Sequence, residues 1–306
     1  MLDAPSYPGA RPAERQYDFD SHGQRLRLYE WGDRRALPLV LCHGYFDNAH
    51  GFDLLAPYLA ERYRVIAFDT RGHGESAWVD SYTWPHMVYD IVHVLEHVAS
   101  PHGVHLVGHS FGGGLATDAA CAAPHLISKL VNIEGFGPGT VEHPLPGHSD
   151  PIEFGGLASF RAFLDQRRTP DSFVEWRPYR HIDQLVARRK RVNPRLSDAW
   201  LRYFCWHGSR RSADGWRWKA DPELGASANP FKGEWVARTW QYLKLPMLAI
   251  VADQPDSWGP LADVLLDERL GRVPQVERAR VPGTGHFPHM EEPEATAKLL
   301  IEYLDA

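Results

Sequence analysis

Five short apolar runs govern what this chain can fold into. Residues 39–42, 65–68 and 104–107 are short apolar segments, the third holding His105, that end in His43-Gly44, Asp69 and Gly108, and residues 130–133, with Asn132, and 247–251 repeat the pattern. Runs of that length without alternation suit strands buried on both faces, as in the middle of a parallel sheet. Helix-like stretches lie between and after them at 52–62, 87–98, 115–123 and 294–303, the last following Pro293. Alternation of strand and helix over most of a chain predicts a doubly wound, mostly parallel α/β sheet. Residues 17–19 and 26–31 alternate apolar and polar side chains around Ser21-His22-Gly23, which predicts an antiparallel hairpin ahead of that sheet.

One stretch breaks the rhythm. From 138 to 235 the pattern is helical without strand–helix alternation, which divides the chain into a core of 1–137 and 236–306 and a helical insertion of 138–235. The insertion carries sixteen Lys and Arg against twelve Asp and Glu, while the whole chain has a net charge of -6. It also holds Trp176, Trp200, Trp206, Trp216, Trp218 and Trp235, six of the eleven tryptophans. Such an insertion is expected to lie over the carboxyl ends of the strands, where α/β sheets place ligands. Its aromatics suit an apolar or aromatic pocket, although packing of its own small core explains most of them equally well.

The acidic balance gives no reason to expect nucleic-acid binding. Cys42, Cys121 and Cys205 are odd in number and far apart, with no CxxC pair, which favours a reducing compartment. The first fifteen residues lack the apolar run of a secretory signal or membrane span, so a soluble, cytoplasmic protein is expected.

The strongest chemical signal is Gly108-His109-Ser110-Phe111-Gly112, followed by Gly113 and Gly114, between the run 104–107 and the helical stretch from Leu115. A serine flanked at two residues by glycine, after a strand and before a helix, is the nucleophile elbow. The tight turn presents the hydroxyl at the end of the sheet, and the helix start directs N–H groups at the same point. Three further motifs accompany it in order: His43-Gly44-Tyr45, the run from Asp69 to Ser76 containing Arg71-Gly72-His73-Gly74, and Gly285-His286-Phe287. Together these resemble the α/β-hydrolase fold family over nearly the whole chain, in its serine hydrolase, esterase-like branch. The resemblance implies the α/β-hydrolase fold with a helical lid, Ser110 as nucleophile and His286 as the base that takes its proton. It implies an oxyanion hole from the backbone N–H groups of Tyr45 and Phe111. Asp69, Arg71, His73 and His43 match the family but read as loop-shaping residues, and His289 as a surface or packing histidine.

The carboxylate that orients the imidazole is less determined. The family places it after the strand at 247–251, usually as glycine and then aspartate. Here that stretch reads Ala252-Asp253-Gln254-Pro255-Asp256, with the glycine missing. Asp256 fits the longer spacing and is the leading candidate. Some relatives place the acid after the preceding strand, where Glu134 stands, and Asp253 is a third possibility; the triad is recognised by geometry.

Two other patterns are weaker. His93-Val94-Leu95-Glu96-His97 matches the H-x-x-E-H metalloprotease pattern but sits in a helix with flanking-helix apolarity and no third ligand marked. Arg188-Arg189-Lys190-Arg191 reads as a solvated helix face. No dinucleotide or P-loop fingerprint occurs, so neither metal nor organic cofactor is expected. The expected reaction is hydrolysis of a carboxylic ester or lactone with an apolar or aromatic acyl part. Ser110 excludes the aspartate nucleophile of epoxide hydrolases and haloalkane dehalogenases. Carbon–carbon hydrolysis of ring-cleavage products is the second enzymatic reading, and a catalytically silent, ligand-binding homologue is the reading from another class. The expected partner is a small-molecule substrate, with no nucleic acid or membrane, and oligomeric state is left open.

Overall fold

The structure, a computed structural model, describes residues 4–140, 142–146, 161, 164–165, 168, 176–226 and 238–306. Eight strands form one sheet: β1 (Arg15–Ser21), β2 (Gln24–Trp31), β3 (Pro38–Cys42), β4 (Arg64–Phe68), β5 (Val104–His109), β6 (Ile127–Ile133), β9 (Met247–Ile250) and β10 (Val276–Ala279). Their spatial order is β1-β2-β4-β3-β5-β6-β9-β10. β1 pairs with β2, and β2 with β4, in antiparallel fashion, and every other pair is parallel. The hairpin between β1 and β2 turns at His22 (φ 52°) and Gly23 (φ 83°). Two left-handed residues in succession match the twist of the strands they join.

Alternate residues of the apolar strands feed two different cores. Val40, Ile66, Leu106 and Leu130 face α2 (Trp84–His97), α3 (Phe111–Ala122) and α6 (Asp263–Leu270). Leu41, Ala67, Val107 and Val131 face α1 (Ala56–Leu59) and α7 (Pro293–Asp305) on the other side. Burial on both faces is why these strands are mostly apolar in sequence. Strand β10 escaped that signal: it is an edge strand, and Glu277 and Arg278 point into solvent.

Between β6 and β9 lie α4 (Ile182–Val192) and α5 (Asp198–His207), the latter capped by Ser197, whose hydroxyl accepts the Trp200 N–H at 3.1 Å. They pack around a third apolar cluster containing Leu185, Trp200, Leu201 and Phe204, which meets the core at Leu54, Phe287 and Met290. The purely helical expectation for 138–235 is corrected by a two-stranded hairpin, β7 (Ser209–Ser212) and β8 (Gly215–Trp218). Residues 147–160, 171–175 and 227–237, with Trp235 among them, lie outside the described residues. No helix among the described residues is long and apolar enough to cross a membrane.

The loop after β4 is fixed to α2 by a buried ion pair. Arg71 donates from Nε and Nη2 to the two oxygens of Asp90, at 2.6 and 2.8 Å, and Ser21 Oγ donates to the same carboxylate at 2.8 Å. Removing one member strands a charge away from water. Asp90→Ala is expected to lower the unfolding free energy by about 3 kcal/mol in urea titration, with an unchanged m-value. A loss below about 1 kcal/mol would contradict a structural role for this pair.

Candidate active site

Ser110 stands between the end of β5 and the start of α3, with φ 53° and ψ -120°, a strained conformation for a residue with a Cβ. Its N–H donates to the Ile133 carbonyl at 2.7 Å, which ties the turn to the end of β6. The turn closes only because its flanks lack side chains. A Cβ at Gly108 would lie 2.3 Å from the Gly112 carbonyl oxygen, and one at Gly112 would lie 2.5 Å from the carbonyl oxygens of Cys42 and His43. Phe111 opens α3, so the positive end of the helix dipole is directed at the serine.

His286 lies on the loop between β10 and the helical turn Pro288–Glu291. Its Nδ1 is 3.1 Å from Glu134 Oε2. With Nδ1–H donating to that carboxylate, Nε2 is left as the basic nitrogen. The second oxygen, Oε1, accepts the Ala252 N–H at 2.8 Å. Glu134 directly follows β6, its side chain is 3% exposed, and its backbone is again left-handed at φ 53°. Its own N–H donates to the Ile250 carbonyl of β9 at 3.0 Å.

The leading expectation for the acid is therefore corrected. Asp256 does not meet the imidazole; its Oδ2 accepts the backbone N–H of His286 at 2.6 Å and its Oδ1 that of Trp258 at 2.7 Å. Asp253 is also occupied elsewhere, accepting the Gly283 N–H at 2.8 Å, an interaction that holds its carboxyl below the usual range. The cause is topological. The loop after β9 meets the backbone of the histidine loop, while the residue after β6 meets the ring. Room for Glu134 depends on Gly259, where a Cβ would lie 2.2 Å from Oε2 and 3.4 Å from His286 Nδ1. Gly259 carries no motif, and spacing alone could not have found it.

Ser110, Glu134 and His286 border one cavity of about 340 Å³, whose walls include Phe136, Trp176, Phe204, Trp218 and Phe287. Tyr45 and Phe111 line it as well, their rings 5.3 Å apart. The loop after β3 reaches Ser110 closely: a Cβ on Gly44 would be 3.4 Å from that of Ser110. Of the motif residues read as loop-shaping, His43 donates from Nδ1 to the Gly44 carbonyl at 2.7 Å and accepts the Thr70 N–H at Nε2 at 3.0 Å. Asp69 accepts the N–H groups of Ala49 and Glu75, both at 2.8 Å. His73 accepts the Phe46 N–H at 3.2 Å, and burial pushes its pKa down to about 3.

His109 does more than fill the elbow. Its Nε2–H donates to the His286 carbonyl at 2.8 Å, and burial holds the ring well below the ordinary imidazole range. His289 is buried beneath it, 4.3 Å between ring centroids, with its pKa pushed down by burial to about 3. Packing, not surface exposure, is thus its role.

The weaker patterns are absorbed by structure. His93 and His97 both pack on Phe19, with centroids 4.9 and 4.6 Å away, and His93 Nδ1 contacts Ser21 Oγ at 3.3 Å. Arg189 is turned inward, donating to the Phe46 carbonyl at 3.0 Å and pairing with Asp47, whereas Arg188 and Arg191 are exposed. Among the described residues, His50, Asp53 and His207 form one group with ligand atoms within 4.8 Å. The two imidazoles are stacked, 4.0 Å apart at 25°, so their in-plane lone pairs do not converge on a common ion.

Comparison with known proteins agrees with this architecture. The profile of the family described as alpha/beta hydrolase fold matches residues 38–293. A probable serine hydrolase of Drosophila melanogaster is 28% identical over 90% of this chain and 82% of its own. A serine hydrolase-like protein of Dictyostelium discoideum is 25% identical over 90% of this chain and 77% of its own. Among solved structures, the thioesterase domain from the curacin biosynthetic pathway superposes with a TM-score of 0.76 at 23% identity, covering 94% of this chain and 99% of that one.

Gly259→Ala should force Glu134 away from His286 and cost about 1–3 kcal/mol of stability by overpacking. Chemical denaturation measures the loss, and a variant as stable as the parent would show that the carboxylate has room the structure denies it.

Proposed function

The chain belongs to the α/β-hydrolase fold family, and we propose that it is a serine hydrolase cleaving carboxylic esters or lactones with an apolar or aromatic acyl part. The observation that carries this reading is the Glu134–His286 hydrogen bond at the edge of the cavity that Ser110 also lines. The names of the serine hydrolase-like relatives support the same chemistry.

In the proposed reaction, Ser110 Oγ attacks the acyl carbonyl while His286 Nε2 takes its proton. Glu134 holds the opposite ring nitrogen and stabilises the imidazolium that forms. The N–H groups of Phe111 and Tyr45 receive the negative charge on the carbonyl oxygen. His286 then returns the proton to the departing alkoxide, leaving an acyl-serine. Water, deprotonated by the same imidazole, releases the acid and restores Ser110. The aromatic walls favour an apolar acyl group by excluding water from it. Residues 138–235 would form the cap that closes this site.

A fluorophosphonate probe tests the chemistry directly. Ser110 in the folded protein should be labelled and Ser110→Ala should not; absence of labelling in the parent would favour a silent ligand-binding protein. On a short p-nitrophenyl ester, Glu134→Gln should lower kcat by on the order of 10³- to 10⁴-fold, because the amide no longer imposes the productive tautomer. Asp256→Asn keeps an acceptor oxygen and should cost only about tenfold. The reverse ranking would return the orienting role to Asp256.

The pH profile provides a separate check. Burial keeps His109 and His289 neutral throughout an ordinary assay range, with His289 at about 3 and His109 well below its usual value. A general base must be neutral to accept a proton, and with those two rings outside the assay range a single group is expected to set the acid limb of the profile. The acid limb of log kcat/KM should have unit slope. A slope of two above about pH 5 would show that a second imidazole takes part.

A further inference from the structure

We propose that Arg195 and Trp258 are positioning residues that couple the C-terminal end of α4 to the imidazole of His286. This rests on the reading of His286 as the base, and it concerns how the ring is held in register with Ser110.

Two separate routes lead from α4 to the histidine loop. Arg195, three residues beyond the helix, donates from Nε to Glu291 Oε2 at 2.6 Å and from Nη2 to the Gly283 carbonyl. The Glu291 carboxylate is nearly withdrawn from water, its side chain 8% exposed. It accepts the Gly285 N–H at 3.1 Å on both oxygens and the Phe287 N–H at 3.3 Å. Arg195 therefore compensates the charge that grips both neighbours of His286. Along the second route, Trp258 donates its Nε1–H at 2.7 Å to the carbonyl of Val192, the last residue of α4. Helix-end carbonyls lack an acceptor role within the helix, so this one is available to an outside donor. The Trp258 backbone N–H reaches Asp256 Oδ1, and Asp256 Oδ2 accepts the His286 N–H.

The N–H groups of residues 285, 286 and 287 thus all end on carboxylates, and both carboxylates are connected to the end of α4. The shortest of these, from the His286 N–H to Asp256 at 2.6 Å, is flanked by the two longer bonds to Glu291, and together they fix the backbone from which the ring projects. Glu134 fixes only Nδ1, so Nε2 is aimed by the ring and backbone contacts together. Val192 and Trp258 also line the cavity. A molecule seated there presses on the same residues that hold the base, which links occupancy of the cavity to alignment of the imidazole. Arg195 touches neither the cavity nor Ser110, and motif reading gave it no role.

The test uses the full chain and three variants, Arg195→Ala, Arg195→Lys and Trp258→Phe. It reads kcat and KM on p-nitrophenyl butyrate, the rate of Ser110 labelling by a fluorophosphonate, and the ¹⁵N-histidine ring resonances of His286, assigned by their loss in His286→Gln. Arg195→Ala and Trp258→Phe should each lower kcat and the labelling rate about tenfold, with KM within about twofold and the His286 resonances displaced. Arg195→Lys should recover part of the loss, since a single ammonium reaches one of the two acceptors. Should Arg195→Ala fail to fold, Trp258→Phe, which keeps the aromatic wall and removes one N–H, decides the matter. Unchanged kcat and unmoved His286 resonances overturn the proposal, as does a rise in KM alone. If the parent protein is not labelled at Ser110, the serine hydrolase reading fails, and the resonances alone decide the coupling: displacement in the variants sustains it, and none overturns it.

Discussion

The register of three neighbouring strands is the constraint on which the site depends. Gly108 of β5 lies opposite Asn132 of β6, and Asn132 opposite Ala249 of β9, so the three strands end at one level. The chain then turns at each end under a hydrogen bond to the neighbouring strand, Ser110 to Ile133 and Glu134 to Ile250. A shift of one residue in either pairing would turn these side chains to the other face of the sheet. The apolar layers on both faces penalise such a shift, because it would exchange the residues that each layer buries. The positions of the serine and the glutamate are thereby maintained by packing tens of residues away.

Backbone strain accompanies that placement. Among the described residues, four non-glycine positions have positive φ: His22, Phe46, Ser110 and Glu134. His22 forms a hairpin turn, and the other three border the cavity. Such conformations cost of order 1–3 kcal/mol each and persist only where the surroundings determine them. Here the surroundings are the bonded ends of β6 and β9 and the close approach of the β3 loop. The cavity rim is thus built from main chain in a few high-energy shapes, supported by an ordinary, well-packed sheet.

The histidine loop is held in a different manner. It follows an edge strand and has no sheet partner to determine it, so carboxylates of Asp253, Asp256 and Glu291 take its N–H groups in place of a ladder. This gives Asp253, Asp256 and Glu291 a structural use distinct from the contact that Glu134 makes with the His286 ring. It also explains why the end of α4 and the histidine loop share partners: Arg195 and Trp258 belong to both sets of contacts.

Much of this was legible in the linear chain. Burial on two faces forces mainly apolar runs, so β3, β4, β5, β6 and β9 announced themselves, and Gly108, Gly112 and Gly113 are required by contacts under 3 Å that no side chain could survive. Features lying at the sheet edge or in the insertion left no such trace: β10 is half exposed, and the β7–β8 hairpin has only four residues a side, with β7 wholly polar. The choice among Asp256, Glu134 and Asp253 could not be made from spacing, because three carboxylates near strand ends differ in whether they meet the ring or the backbone of the histidine loop. Local periodicity and turn chemistry are properties of neighbouring residues and are written in the sequence. Which carboxylate meets His286 depends on a contact across 152 residues of chain and on the space left by one glycine, and only the folded arrangement decides that.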